Sequence, residues 1–400
     1  MWISYNIFKD RANYASIDDR EHILDFYTEG RPWMKTKTME KDFCGSMTAD
    51  SLILLQAMFP TKRFIWAFGD DNFATFHTWD RVQHKVNGVA VPDWQFMMHN
   101  FPIAVLHRPG SRRDAQKSIA AHQFAHLQVK DPRELGQNSN GWTFLKNKPM
   151  NVCSTQIRKA LRRHHHNIPG LIPKAEDFIY ERGLFLDFNT VAAPQPVLKT
   201  VPLQTFTTLA ATANLVKSTM IRAGGFKPEE FIAHAAACWD KSRNKGDFEK
   251  SSEVPGEIAD NLISLYWLAD LQGVHLPLVA PGHETQDSVS RWCDAHYSGE
   301  DLKQRAKNCF EELAELCVCE GMEKDRMVNL LTLILDGPDA DTLESACAKT
   351  LERLHDYATV LDLDPQTILD KKMQLNRARI TEQSLQRQMA KIHSLKDGPS

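Results

Sequence analysis

The chain has 400 residues, of which 42% are hydrophobic and 25% are charged, a composition typical of a globular protein with two or three domains. Its 48 basic and 51 acidic residues nearly balance, so no global field attracts nucleic acid or an anionic membrane, and we expect neither as a partner. No segment approaches the roughly 20 apolar residues that a membrane span requires. The eight cysteines show no paired framework, which predicts free thiols in a cytoplasmic protein.

The chain opens with alternating strand and helix signals. Residues 2–6 have the composition of a short strand. A helix is predicted over 17–27, with Ser16 as its N-cap, and a second helix over 51–59.

Two apolar runs further along predict buried strands. The first covers residues 64–68, where Gly69 and two aspartates end the run, and the second covers 102–106. A helix is predicted over 79–82, between them. Strands that alternate with helices predict an α/β fold with a doubly wound parallel sheet. Ligands of such sheets bind at the carboxyl ends of the strands.

A phosphate site is predicted where another helix begins. Ser154 and Thr155 lie where an N-cap belongs, and Arg158 follows within the first turns. Unpaired N–H groups, hydroxyls and a guanidinium at one helix start suit a phosphate. A capped basic surface helix is the alternative that this stretch alone leaves open.

Ordered motifs link this half of the chain to a known family. They are Met-Thr-Ala-Asp-Ser-Leu at 47–52, Gly-Asp-Asp-Asn through Phe-His-Thr-Trp at 69–79, His-Arg-Pro-Gly at 107–110 and Ser-Thr-Gln-Ile-Arg at 154–158. Over residues 1–187 the chain resembles the bacterial nicotinate-mononucleotide adenylyltransferases, which have a Rossmann-like nucleotidylyltransferase fold. The resemblance implies transfer of AMP from ATP to nicotinate or nicotinamide mononucleotide in NAD biosynthesis, with Mg²⁺ as cofactor.

The same resemblance implies roles for individual residues. A threonine contacts the carboxylate of the nicotinate ring, a Gly-x-Asp segment holds the ribose and a tryptophan stacks on the ring. The substrate-binding residues implied in this way are Thr48, Gly69, Asp71, Trp79 and Arg108. The residues implied at the ATP phosphates are Ser154, Thr155 and Arg158, with Arg158 as the catalytic cation.

One motif of that family does not occur in this sequence. It is Gly-x-Phe-x-Pro-x-His-x-Gly-His, whose two histidines hold the ATP phosphates during the attack. Residues 2–4 align with the second strand of the family. The expectation is therefore a truncated Rossmann-like domain with impaired adenylyl transfer, or a domain that binds nucleotides without catalysing.

Composition changes in the second half of the chain. Residues 188–204 contain three prolines and few large apolar residues in their centre, so we expect a linker there. Residues 205–394 repeat Leu, Ala, Glu and Lys at helical spacing, which predicts an all-α helical-bundle domain, followed by a tail over 395–400.

Two acidic pairs at i,i+3 spacing stand out in the helical part. Glu257 and Asp260 form one pair, and Glu312 and Glu315 form the other. If the two helices face each other, four carboxylates could hold Mg²⁺. Solvated faces of amphipathic helices are the alternative. These segments resemble MazG-type nucleoside triphosphate pyrophosphohydrolases, which implies a nucleoside triphosphate as a second substrate class. A helical module for homo-oligomerisation is the third, non-enzymatic explanation.

Overall fold

The computed structural model describes residues 15–34, 47–136, 140–149, 152–186, 201–244, 254–277, 283–297, 300–337 and 340–379. The chain divides into an α/β unit, residues 1–56 with 62–198, and a helical unit, residues 57–61 with 199–400. None of the helices within the described ranges combines the length and hydropathy needed to cross a bilayer. The predicted strand over 2–6 and the tail over 395–400 lie outside these ranges.

Short helices and strands alternate between residues 15 and 186. The helices are α1 (Ile17–Thr28), α2 (Thr48–Met58), α3 (Asp70–Ala74), α4 (Asp93–Asn100), α5 (Arg112–Gln116), α6 (Ile119–Gln123), α7 (Ser154–Leu161) and α8 (Pro173–Glu181). The strands are β1 (Trp66–Gly69), β2 (Val82–Val86), β3 (Val89–Pro92), β4 (Ile103–Leu106) and β5 (Trp142–Phe144).

Three of the strands form a parallel sheet in the order β1–β4–β5. Gly69 at the end of β1 lies opposite Leu106 at the end of β4, so the residues that follow both strands meet at one edge. The prediction of a parallel α/β sheet is confirmed for this small sheet. Phe73, Phe76, Met97 and Trp142 are fully buried in the aromatic core beside it.

A β-hairpin occupies the stretch after Trp79. Strands β2 and β3 pair antiparallel across a two-residue turn, Asn87-Gly88, in which both residues have positive φ. The prediction of a helix over 79–82 is therefore wrong. Asn-Gly is the preferred sequence for such a turn, because both of its residues adopt left-handed backbone angles with little strain.

The observed start of one helix agrees with its predicted start, and the starts of two other helices differ from the prediction. Ser16 caps α1 by accepting the N–H of Asp19, as predicted. Helix α2 begins at Thr48, three residues before the predicted start. Helix α7 begins at Ser154 with Cys153 as its N-cap residue, so the prediction that Ser154 and Thr155 occupy the cap position is corrected by one residue. The exposed hydroxyls of its first turn remain beside its N–H groups.

The second half of the chain is helical, as predicted. Its helices are α9 (Leu203–Ala223), α10 (Pro228–Asn244), α11 (Val254–Leu271), α12 (Gln286–His296), α13 (Leu302–Cys319), α14 (Lys324–Leu335), α15 (Leu343–Val360) and α16 (365–379). Helix α9 begins inside the expected linker, of which residues 188–200 lie outside the described ranges.

Helix α9 is the centre of this unit. Sixteen of its 21 residues are buried, and it packs against α13, α14 and α15. Its buried Lys217 donates hydrogen bonds from Nζ to the carbonyl oxygens of Ile334 and Gly337, at the carboxyl end of α14. A lysine is suited to this place, since the last carbonyls of a helix carry partial negative charge.

Candidate functional sites

A buried carboxylate organises the carboxyl ends of β1 and β4. Asp70, fully buried, accepts the backbone N–H of Arg108 at 3.0 Å and the hydroxyl of Ser111, and pairs with Nδ1 of His107 at 2.9 Å. Burial alone would raise the pKa of Asp70, but these three hydrogen bonds lower it below its ordinary value. The turn that follows β4 is thereby attached to the end of β1.

Gly69, Asp71 and Arg108 lie together at this edge. Arg108 Nη1 and Asp71 Oδ2 are 3.1 Å apart, and the Arg108 side chain is 58% exposed. A Cβ atom at Gly69 would lie 2.1 Å from Asp71 Oδ1 and 2.8 Å from Arg108 Nε. Glycine is therefore what lets the two charged side chains meet against the backbone of β1.

The start of α7 lies within the electrostatic reach of Arg108. The backbone N–H groups of Gln156 and Thr155, with the positive charge of Arg108, lower the pKa of the exposed Cys153 thiol. Ser154 and Thr155 are exposed beside it, and Arg158 is half-buried one turn further along. An anion near Arg108 would meet its guanidinium, and it would compete with the Cys153 thiol for the N–H groups of Thr155 and Gln156.

An ion-pair network connects the regions of Thr48 and Trp79. Arg81 donates two hydrogen bonds to Asp50, at 2.7 and 3.0 Å, and one to Asp93 at 2.8 Å. Asp50 belongs to the first turn of α2, which begins with Thr48, and Arg81 follows Trp79 by two residues. The network therefore fixes the helix start that carries Thr48 relative to the loop that carries Trp79.

The half-buried ring of Trp79 packs against the aromatic core. Its centroid lies 5.6 Å from Trp66 and 5.2 Å from Phe76. The N–H of Trp94 donates to the carbonyl oxygen of Trp79 at 3.2 Å, which fixes the backbone as well. A ring held in this way can offer a preformed stacking surface.

The helical unit brings its acidic pairs together. Carboxylate oxygens of Glu257 on α11 and of Glu312 and Glu315 on α13 lie within 4.8 Å of one another. Asn261 on α11 donates to the carbonyl oxygen of Glu312 at 3.1 Å, which holds the two helices in register. Asp260 joins the same region but forms an ion pair with Lys372 of α16.

Burial and mutual repulsion shift the pKa values of two of these carboxylates. Burial, and then the charges of Asp260, Glu315 and Glu257, raise the pKa of Glu312 well above its ordinary value. Burial also raises the pKa of Asp260, although Lys372 opposes the rise. Oxygen ligands of this kind are the donors that Mg²⁺ and Mn²⁺ prefer, so the residues fit a hard divalent cation. Metal binding by the four predicted residues stays a prediction.

The sequence did not identify several contacts that organise these sites. The contacts of Asp70, His107, Arg81 and Lys372 join residues between 12 and 112 positions apart along the chain, so no local pattern predicts them, although Asp70 and His107 lie within the motifs described above. The prediction of free thiols is confirmed for the seven cysteines in the described ranges. The eighth, Cys44, lies outside those ranges.

Comparison with known proteins gives the α/β unit its relatives. No protein-family model matches the chain. A protein of Brucella suis biovar 1 named "Probable nicotinate-nucleotide adenylyltransferase" is 31% identical over 157 residues, 38% of this chain and 74% of the relative. A protein of the same name from Agrobacterium fabrum is 30% identical over 157 residues, 38% of this chain and 76% of the relative. One from Cereibacter sphaeroides is 32% identical over 130 residues, 32% of this chain and 62% of the relative. By this N-terminal segment, the chain belongs to the nicotinate-nucleotide adenylyltransferase family.

Proposed function

We propose that the α/β unit binds a pyridine mononucleotide and ATP and serves in adenylyl transfer, a reaction of NAD biosynthesis. The observation that carries the proposal is the contact of Asp71 with Arg108 at the carboxyl ends of β1 and β4. This is the edge at which open parallel sheets bind ligands. The positive charge of Arg108 also acts on Cys153, the N-cap residue of α7. The names of the relatives supply the reaction class.

Each group at this edge has a chemical task in the proposed reaction. A phosphate oxygen of the mononucleotide forms a bond to the α-phosphorus of ATP, and the bond from that phosphorus to the departing pyrophosphate breaks. Negative charge on the phosphate oxygens is stabilised by Arg108, Arg158 and the first N–H groups of α7. Thr48 and Trp79 hold the pyridine ring, the hydroxyl by hydrogen bonding and the indole by stacking.

Calorimetric titration with nicotinate mononucleotide, and then with ATP, tests this function. Replacing Trp79 by Ala should weaken mononucleotide binding by about 1–3 kcal/mol, which is the usual contribution of an aromatic–base stack. Trp33→Ala is the matched control, because Trp33 is 78% exposed and should not affect affinity. Equal affinities of wild type and Trp79→Ala would refute the proposed ring site, and a wild-type protein that binds neither ligand would refute the function.

A second candidate function concerns the helical unit. We propose that Glu257, Asp260, Glu312 and Glu315 hold Mg²⁺ and that the unit hydrolyses a nucleoside triphosphate to release pyrophosphate. The convergence of three carboxylates from two helices within 4.8 Å favours this proposal over separate solvated faces. Lys372 pairs with Asp260 and also lies close enough to Glu257 and Glu312 to be affected by their charges, and a bound cation would reduce the mutual repulsion of the carboxylates further.

Binding and hydrolysis in the helical unit can be measured separately. Mg²⁺ should raise the melting temperature of wild type, and Glu315→Gln should reduce that rise. Glu344→Gln, at a side chain that is 70% exposed, is the control. Pyrophosphate release from a deoxynucleoside triphosphate reports hydrolysis. A melting temperature that does not change when Mg²⁺ or Mn²⁺ is added would refute the metal site. The helices would then have a role in assembly.

A further inference from the structure

We propose that Asp70 is a positioning residue for the nucleotide site, fixing the turn from His107 to Ser111 so that Arg108 meets the phosphate of the bound mononucleotide. The inference rests on the proposed function of the α/β unit, and it adds a specific role to a residue that does not itself reach the ligand. The class of ligand group concerned is a phosphate monoester.

All of the hydrogen bonds described for the Asp70 carboxylate lead to one turn. They come from the His107 ring, the Arg108 backbone and the Ser111 hydroxyl, three groups within five consecutive residues. A carboxylate without any exposed surface is costly to bury unless hydrogen bonds compensate it. Because these donors follow β4 and Asp70 follows β1, the carboxylate joins two neighbouring strand ends.

The same turn is held from its other side by Asn147, which follows β5. The His107 backbone donates its N–H to Asn147 Oδ1 at 2.8 Å, and its carbonyl oxygen accepts from Asn147 Nδ2 at 3.1 Å. The guanidinium of Arg112 lies 4.0 Å above the Phe144 ring and 3.9 Å from Asp70 Oδ2. Both flanks of the turn are therefore anchored to the sheet.

Arg108 differs from its anchored neighbours. Its backbone N–H is fixed by Asp70, whereas its guanidinium is more than half exposed and contacts Asp71 at the strand edge. A charged group on a fixed backbone loses little freedom when it binds an anion, so its affinity depends on that backbone remaining in place. Loss of the Asp70 carboxylate should thus appear as weaker phosphate binding.

The test compares nicotinate mononucleotide with its riboside, which lacks the phosphate, in wild type, Asp70→Asn, Arg108→Ala and the double variant. The phosphate should make the mononucleotide bind more tightly to wild type. Each single variant should lose about tenfold or more of that preference, because a charge-assisted hydrogen bond is affected. Riboside affinity should stay unchanged, and the double variant should be no weaker than Arg108→Ala. Asp114→Asn, at an exposed position of α5, is the control.

The outcomes separate this inference from the function on which it rests. Wild type that binds neither compound refutes the proposed function. Wild type that binds both, with Asp70→Asn weakening both equally or neither, overturns the positioning role, as does an additive loss in the double variant. If Asp70→Asn does not fold, Ser111→Ala replaces it in the test, because this variant removes only one of the hydrogen-bond donors to Asp70. It should reduce the phosphate preference in the same direction, and an unchanged preference would also overturn the inference.

Discussion

Replacement of Arg81 by Met should loosen the α/β unit locally. The Arg81 side chain is 24% exposed and supplies three charge-assisted hydrogen bonds, two to Asp50 and one to Asp93. The variant leaves two carboxylates, 15% and 7% exposed, beside each other. Removing one member of a buried ion pair costs about 3–5 kcal/mol. His84, 3.1 Å from Asp50, offsets part of that loss, so we expect about 2–4 kcal/mol.

Amide hydrogen exchange at neutral pH measures this loss where it occurs. Peptides from α2 and from the hairpin should exchange about 30- to 700-fold faster in Arg81→Met, since every 1.4 kcal/mol is a factor of ten. Arg133→Met is the control, because its ion pair with Asp131 is exposed and its loss should not alter exchange. Unchanged exchange in α2 would show that the network does not hold the Thr48 region.

The effect of Arg81→Met on amide exchange should depend on pH, because Asp50 titrates. Burial alone would raise the pKa of Asp50, but His84 and Arg81 bring it below the ordinary value of 3.8. A carboxyl whose folded pKa is lowered contributes stability above the unfolded value and loses it as pH falls through the folded one. The difference in amide exchange rate between wild type and Arg81→Met should therefore become smaller below about pH 4. A difference that stays constant into that range would contradict the assignment.

Three further substitutions test other contacts. Gly69→Ala should weaken mononucleotide binding in calorimetry without lowering the melting temperature, because its Cβ would displace only the exposed Asp71 and Arg108 side chains. Gly225→Ala is the control, because a Cβ atom there would have no other atom within 4 Å. Glu312→Gln should raise the melting temperature at pH 8 and not at pH 4.5, since a carboxyl with a raised folded pKa loses stability as pH rises above its unfolded value. Lys372→Met should enlarge the Mg²⁺-dependent rise in melting temperature by leaving Asp260 without its ammonium partner, and a smaller rise would contradict competition for that carboxylate.

Local sequence signals predicted the elements but only part of their arrangement. The apolar runs before Gly69 and His107 identified β1 and β4, and Ser16 identified the start of α1, because burial and capping act within a few residues. Asn87-Gly88 was also a local signal, for a hairpin turn. The prediction of a helix over 79–82 did not take it into account. Strand β5 has only three residues and depends on β4 for its pairing, so its own sequence marks it weakly.

The contacts inside the sites could not be derived in the same way. The acidic pairs were recognisable because i,i+3 spacing is a property of a single helix. That Lys372 balances Asp260 depends instead on where α16 packs, 112 positions later. Asp70 was similarly recognisable as a residue at a strand end, whereas its three partners belong to the end of the next strand in the sheet.

The burial of α9 has a consequence for synthesis on the ribosome. Its packing partner α13 begins about 80 residues after α9 ends, and its partner α15 ends only at Val360. At about 5–20 residues per second, roughly 4–16 s pass before the first residue of α13 is made. During that interval Phe206, Leu209 and Leu215, all fully buried in the finished protein, lack those covering helices. Nascent chains that stall before Leu302 should therefore bind a hydrophobic chaperone, and chains that extend past Val360 should release it.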